Sequence, residues 1–406
     1  MPSLNAIAGL LPPLEISVQE GNMLIDLTET LTQHNIAQCS TVIVTKDGHA
    51  DSRAWKELRR KDNIRVYKER PRPNAMPTTP SLLLLGTVKG NLDDVMYAIV
   101  TPTEQAMKIK SNCTHDGVID RKVLHEIVRP SVDDPFRHVS VNWSLYADSE
   151  PHDYVCVEAT GVTHTLRGER VGFHLSHSVA FTQLPSFSES HGVERGNRSI
   201  CSLYRETTAG EVECYVRGFF DFRDGDNELT TNIALHAIAN QWLSFSRQIE
   251  FSHMKKLVWR LRRNSSDLDD FVMAAAVEEH KRKMSEAALN REATCTVCHK
   301  SFGLLDRKTT CKSCEQAVCP RCRVKKRVCV LAPDQRTVLE KRRSFCAPCI
   351  AEVTTSNART IAKEELQVQE EDQDRAVKQS EEQVVSVARQ RTTSWMATSA
   401  SIRSCI

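Results

Sequence analysis

A chain of 406 residues, 40% of them hydrophobic, is long enough for two or three domains and at least one sizeable core. Its net charge of +2 gives no global attraction to nucleic acid. The longest aliphatic run, Leu82 to Leu85, falls far short of the roughly 20 residues a membrane span needs. The early segment "AIAGLLPPL" lacks a basic flank and is broken by Pro12 and Pro13, and Cys405 stands next to last where a prenylation box needs its cysteine four from the end, so no leader or anchor is expected. A reducing, cytoplasmic compartment follows as the expectation, one in which clustered thiols bind metal more often than they form disulfides.

Residues 14–262 read as one mixed domain. Ser17 and Glu20 form a capping box before a helix carrying Leu24, Leu27 and Leu31. Strand-like residues Ile64 to Tyr67 and the run Leu82 to Leu85 precede a second helix, capped by Asn91, with Val95, Met96 and Ile99 on one side and a restart at Thr101, Pro102 and Glu104. Alternating segments come next: "HVSVNWSLY", "DYVCVEAT", "RVGFHLSHSVAF", "SICSLYRE" and "EVECYVRGFFDF". In the first of these Val139, Val141, Trp143 and Leu145 point one way, as in a half-buried antiparallel strand. One long closing helix is expected from Ile238, Trp242, Phe245 and Ile249, spaced four, three and four. Helices, then a meander of strands, then a long helix make an α+β layout.

Catalytic signatures are missing from this stretch. It holds no G-x-S-x-G, no H-E-x-x-H and no phosphate-cradling glycine loop. His174 and His177, three apart on a strand, face opposite sides of the sheet and do not chelate together. The chain is therefore read as a non-enzyme.

The stretch "RAWKELRRKDNIRVYKER", with Trp55, Lys56, Val66 and Tyr67, resembles the opening strands of a START lipid-transfer domain, and the closing helix resembles the START lid. Over about residues 20–262 the resemblance implies a helix-grip fold, a curved antiparallel sheet holding the C-terminal helix around an elongated apolar tunnel, with a lipid as the occupant. Such a tunnel suits a lipid, because each buried CH2 contributes about 0.8 kcal/mol of transfer free energy. Periodicity does not separate residues that line a cavity from residues that fill a core, so a packed scaffold without ligand stays as the alternative.

Residues 263–291 read as a helical linker, opened by a capping box of Ser266 and Asp269, lined by Leu268, Val272 and Ala275, and continued by the solvated run "EEHKRKMSEAALNRE". Beyond it the cysteines, until then single and scattered, crowd together. Four C-x2-C pairs, Cys295 with Cys298, Cys311 with Cys314, Cys319 with Cys322 and Cys346 with Cys349, are separated by 12, 4 and 23 residues. A C-x2-C turn presents two sulfurs to one ion and Zn(II) takes four tetrahedral ligands, so four pairs make two closed, structural sites. A segment of about 60 residues with few large apolar groups needs that staple to fold.

The cysteine register, with Phe302 nine residues before Cys311, is similar to that of a FYVE zinc finger over residues 292–352. The resemblance implies cross-braced pairing: Cys295, Cys298, Cys319 and Cys322 on one zinc, and Cys311, Cys314, Cys346 and Cys349 on the other, with Cys329 a spare in a strand. It also implies docking on endosomal membranes, where an apolar loop at Leu304 and Leu305 inserts and basic residues at Arg307 and Lys308 meet a phosphoinositide headgroup. The match then fails, because Thr309 and Thr310 stand where two histidines belong and Ser344 stands where an arginine belongs. Residues 292–352 hold 13 Lys and Arg against 6 Asp and Glu, a side-chain balance of +7, and two Zn(II) with eight thiolates subtract four, which leaves +3. That charge suits weak attraction to an anionic membrane surface. A RING-type ligase finger fits less well, since its cross-brace normally includes a histidine ligand.

The tail, residues 353–406, is rich in Glu, Gln, Ser and Thr, and Glu364 to Glu382 carries 8 acidic against 2 basic residues. Its valines do not hold through three heptads, so disorder or a frayed helix is expected ahead of a coiled coil. The sequence as a whole reads as a lipid-binding adaptor at intracellular membranes, with a protein-binding scaffold as the second reading.

Overall fold

Ser17 starts the first helix as its sequence requires: its hydroxyl accepts from the Glu20 N–H (3.2 Å), and the Glu20 carboxylate accepts from the Ser17 N–H (2.8 Å). The structure is a computed structural model in which residues 4–45, 47–71, 79–147, 150–207, 210–222, 228–264, 293–303, 308–334, 337–375 and 377–379 are described. The first helix, α1, spans Val18–Cys39, with Leu24 and Leu31 packed on the sheet. After it come β1 (Trp55–Lys61), β2 (Ile64–Glu69) and β3 (Ser81–Lys89). α2 (Leu92–Ile99) is capped by Asn91, which accepts from the Asp94 N–H at 2.8 Å. Pro102 has no N–H with which to extend α2, and α3 (Glu104–Thr114) begins anew with Thr103 as its cap.

The meander follows as β4 (Val118–Val128), β5 (His138–Ala147), β6 (Pro151–His164), β7 (Arg170–Ser178), a single turn α4 (Ser188–His191), β8 (Glu194–Arg195), β9 (Asn197–Glu206) and β10 (Glu211–Asp221). These strands join β1 to β3 in one sheet of order β1-β2-β3-β10-β9-β7-β6-β5-β4, every neighbouring pair antiparallel, with β8 added parallel to β6. Sequence-distant β10 pairs with β3 along the whole of β3, from Glu211 opposite Lys89 to Phe219 opposite Ser81, and this closes the middle of the sheet.

Both faces of this sheet are covered, which corrects the half-buried reading of β5. Val139, Val141, Trp143 and Leu145 do share one face, under α1 and the N-terminal segment with Ile7 and Leu11. The opposite face, with Ser140, Asn142 and Ser144, is buried as well.

The closing helix is also revised. It is two helices, α5 (Glu228–Trp242) and α6 (Gln248–Asn264), separated by a 3-10 turn at Leu243–Arg247. The apolar spacing of 238, 242, 245 and 249 runs through the break, because a tighter turn of five residues rotates the side chains too little to be seen in the pattern. Residues 265–291 of the expected linker, including the Ser266 and Asp269 box, lie outside the described residues.

The thiol-rich segment contains β11 (Thr309–Thr310), β12 (Ala317–Val318), β13 (Arg323–Leu331), β14 (Val338–Cys346) and α7 (Ala347–Thr355). It is seated on the sheet unit. Phe251, Met254, Leu257 and Val258 of α6 form one apolar cluster with Val328, Val330, Phe345 and Val353. Lys256 is buried at this junction, its ammonium 2.6 Å from Asp94 Oδ1 and 2.7 Å from the Ser356 carbonyl, which accepts from it. A further helix, α8, covers residues 358–375, where disorder or fraying was expected. Ala358 and Ala362 are buried among the side chains around α2, and Glu365 accepts from the Tyr97 hydroxyl at 2.8 Å. No helix among the described residues is long and apolar enough to cross a membrane.

Candidate functional site

The face of the sheet opposite α1 does not close completely against α5. A cavity of about 190 Å3 lies between them. Strand order grades its walls. From β3, β10 and the adjoining part of β9 come Leu84, Val216, Phe220, Ile200 and Tyr204, and the helices add Ile238, Trp242 and Phe245. From the far strands β4, β6 and β7 come Arg121, Glu158, His174 and Ser176, joined by Arg198 of β9 and Lys110 of α3. One end is aliphatic and aromatic, and the other is charged.

The charged end is built on Glu158. Its carboxylate accepts from Asn142 Nδ2 (2.9 Å) and Ser176 Oγ (3.4 Å), and Arg198 lies 4.0 Å away. Burial opposes charge on Glu158, but Arg121, His174 and Arg198 together outweigh it and hold the carboxyl down to about 2. His174 goes the other way: burial, only partly offset by Glu158, pushes it down to about 4, so its ring is neutral at pH 7. Lys110 is lowered to about 8 by burial and then by the charge of Arg121, and its ammonium donates to the Ile99 carbonyl at 3.2 Å. The Arg198 guanidinium lies over the rings of Tyr154 and Tyr146, 4.4 and 5.2 Å from their centroids.

Sequence reasoning singled out only His174 of this end and did not see it as a cluster. It took the polar partners of an alternating strand as its wet face. The available signal was their type, since Ser140, Asn142, Ser144 and Ser176 are small and uncharged, whereas solvent faces of strands carry lysine and glutamate. His174 and His177 are on opposite faces as expected: His174 enters the cavity, while His177 Nδ1 lies 2.9 Å from Ser199 Oγ outside it.

A second constellation lies in the thiol-rich segment. The structure brings Cys295, Cys298, Cys319 and Cys322 together in one group and Cys311, Cys314, Cys346 and Cys349 in another, all sulfurs of each group within 4.8 Å of one another. Within them Cys298 and Cys319 sulfurs are 3.9 Å apart, and Cys314 and Cys346 sulfurs 3.8 Å. Tetrahedral zinc with bonds of about 2.3 Å sets its sulfurs about 3.8 Å apart, so the donor set fits that ion. Both groups use one local device. His299 and Glu315, each directly after a C-x2-C pair, take left-handed φ values of 56° and 59° and donate N–H bonds of 2.8 Å to the Cys295 and Cys311 carbonyls. Within the second turn the N–H of Ser313 points at the Cys311 sulfur, and across the first group the N–H of Cys319 points at the Cys295 sulfur, both at 3.4 Å, which favours thiolate over thiol. Four sulfurs in each group leave no position for substrate, so the arrangement is suited to holding structure together.

Leu304, Leu305 and Arg307 lie outside the described residues. The Lys308 ammonium is 5.1 Å from the Phe302 ring centroid. Thr309 and Thr310 are spent on β11, where Thr309 Oγ1 accepts from Arg323 at 2.8 Å, and Ser344 lies in β14 opposite Lys325. Cys329 stands in β13 outside both groups and shares a thiol hydrogen bond with Cys113 of α3.

No family model matches this chain, and no curated protein matches it. Solved structures similar to it include human StAR-related lipid transfer protein 5, at 13% identity over 57% of this chain and 99% of that one with a TM-score of 0.40. Human STARD10 is similar at 12% identity over 52% and 77%, TM-score 0.36, and a STAR-related lipid transfer protein fragment from Xanthomonas axonopodis at 11% over 48% and 99%, TM-score 0.36. At these values the likeness is one of outline.

Proposed function

We propose that the chain is a non-enzymatic, lipid-binding adaptor: residues 14–262 form a START-like unit that encloses an amphiphile, and residues 292–352 form a FYVE-related finger on two structural zinc ions. The observation that carries the reading is the cavity between the sheet and α5, aliphatic and aromatic at one end and charged at the other. That open space supports a ligand over a filled scaffold, and pockets for small ligands are built in this way, mostly apolar with a few convergent polar groups. The two cysteine groups support zinc by their sulfur spacing and the absence of an open ligand position. With Thr309 engaged by Arg323, the finger is assigned weak, salt-sensitive attraction to anionic endosomal surfaces and no specific phosphate clasp.

Native mass spectrometry of gently purified full-length protein tests the cavity. A bound mass in the lipid range, lost in an Ile200→Trp variant that still melts cooperatively, is the expected result. A chain without bound mass and without a thermal shift on adding sterols, phospholipids or fatty acids would refute it.

A further inference from the structure

The charged end of the cavity is unbalanced. Lys110, Arg121 and Arg198 face inward against two carboxylates, Glu158 and Asp116, while the third carboxylate of the lining, Glu150, is exposed to water. Asp116 is already committed, accepting from the Val118 N–H and the Ser111 hydroxyl, each at 3.2 Å. Glu158 accepts from Asn142 and Ser176 and leaves Arg198 at the 4.0 Å limit of an ion pair. Lys110 has a neutral carbonyl as its hydrogen-bond partner. The Nε atoms of both Arg121 and Arg198 are buried without a hydrogen-bond partner. Buried guanidinium N–H groups without acceptors are costly, and a planar fork of donors is shaped for a carboxylate or phosphate.

We propose that this cavity selects an amphiphile with an anionic head group, a carboxylate or a phosphate monoester, whose oxygens accept from Arg121 and Arg198 while one apolar tail lies along Leu84, Val216, Phe220 and Trp242. The proposal rests on the lipid-binding reading above and names its ligand class. An uncharged head leaves the guanidinium donors unmatched, and a zwitterionic head brings a cation into a site that already holds three. The tail is single because the space is small: a cavity of about 190 Å3 leaves no room for two long acyl chains.

The test is a set of affinities of the full chain for five probes: oleate, 1-oleoyl lysophosphatidate, oleyl alcohol, lysophosphatidylcholine and cholesterol, below their aggregation concentrations. Oleate and lysophosphatidate share the oleoyl tail and separate a carboxylate source from a phosphate source. The expected result is at least tenfold tighter binding of one or both anionic probes than of oleyl alcohol and lysophosphatidylcholine. Arg121→Gln then narrows that gap to less than threefold. Should Arg121→Gln fail to fold by circular dichroism, Lys110→Met, which replaces a buried ammonium with an apolar chain of similar length, is expected to reduce the gap as well. Equal affinity for oleate and oleyl alcohol, or tightest binding of cholesterol, overturns the head-group inference and leaves the lipid reading standing. Failure of all five probes to bind removes both.

Discussion

The sheet unit buries large side chains on both faces, Trp143, Leu83, Leu84, Phe136 and Phe220 among them, whereas the segment from Cys295 to Cys349 buries Ala317, Val318, Val328, Val330, Phe345 and the cysteines Cys295, Cys311, Cys329, Cys346 and Cys349. The first region gains its stability from many contacts that each contribute a little. The second has too little apolar surface for that, and on the proposed reading its stability is concentrated in eight cysteine sulfurs grouped for two ions. Damage is therefore expected to spread differently: one lost apolar side chain takes a small share of the sheet unit's stability, and one lost sulfur takes a whole metal position from the finger.

Cys311→Ser tests the contrast at its largest. Metal content is expected to fall from two zinc ions per chain to one, and the finger to become open to protease, with a loss on the order of 10 kcal/mol of apparent binding free energy at that site. The sheet unit stays folded but melts earlier, because Phe251, Met254 and Leu257 lose the surface they pack on. A finger that keeps its protease resistance with one ion would break the comparison.

Next comes the joint between the regions. Asp94→Ala strands the buried Lys256 ammonium and is expected to cost about 3–5 kcal/mol in urea unfolding. The double change Asp94→Leu with Lys256→Met should recover most of that loss, since two apolar groups need no partner. If the single and double variants are equally unstable, the ion pair is not what the joint depends on.

The cavity sharpens the comparison through pH. His174 titrates at about 4 folded against 6.5 unfolded, so between those values the unfolded chain binds more protons and stability falls as pH falls. Its contribution is whole above pH 6.5. Glu158, depressed from 4.5 to about 2, loses its contribution only below pH 4.5, so within this cluster the window from 6.5 to 4.5 belongs to the histidine, and His138, His177, His236 and His253, also lowered by burial, add their own slope to it. His174→Gln is expected to flatten that window by roughly 2 kcal/mol, read from urea midpoints at successive pH values. An unchanged slope would place the ring outside the buried cluster.

The smallest effect is expected at Cys329. Because it lies outside both sulfur groups, Cys329→Ser should leave zinc content untouched and cost no more than about 1–2 kcal/mol, the loss of one buried thiol contact. Loss of metal in this variant would show that the sulfur groups are assigned wrongly.

Local signals were the legible ones. Ser17 with Glu20, Asn91 and the eight paired cysteines each act over a few residues, so their spacing alone carries the geometry. What escaped depends on remote partners. Ser140 and Asn142 face a covered interior, where Asn142 meets Glu158 of the neighbouring strand, and no local spacing announces that cover. The docked α8 was hidden for a related reason: Ala358 and Ala362 are too small to mark an apolar stripe beside an acidic run, yet their smallness is what lets that helix sit close to α2. The 3-10 break left the apolar spacing intact and so left no trace.

That break gives the two closing helices separate mechanical roles. α6 is anchored on both flanks, through Lys256 to α2 and through Phe251 and Met254 to the finger, so a pull on the finger is borne by α6. α5 precedes it across five residues of 3-10 turn and is held to the sheet by buried Leu235 and Ala239 and by hydrogen bonds that include Arg59 to Asn240 and Lys68 to Asn232. The roof over the cavity is thus a separate span joined by a short strap to a fixed beam, so load on the finger reaches the beam before it reaches the roof.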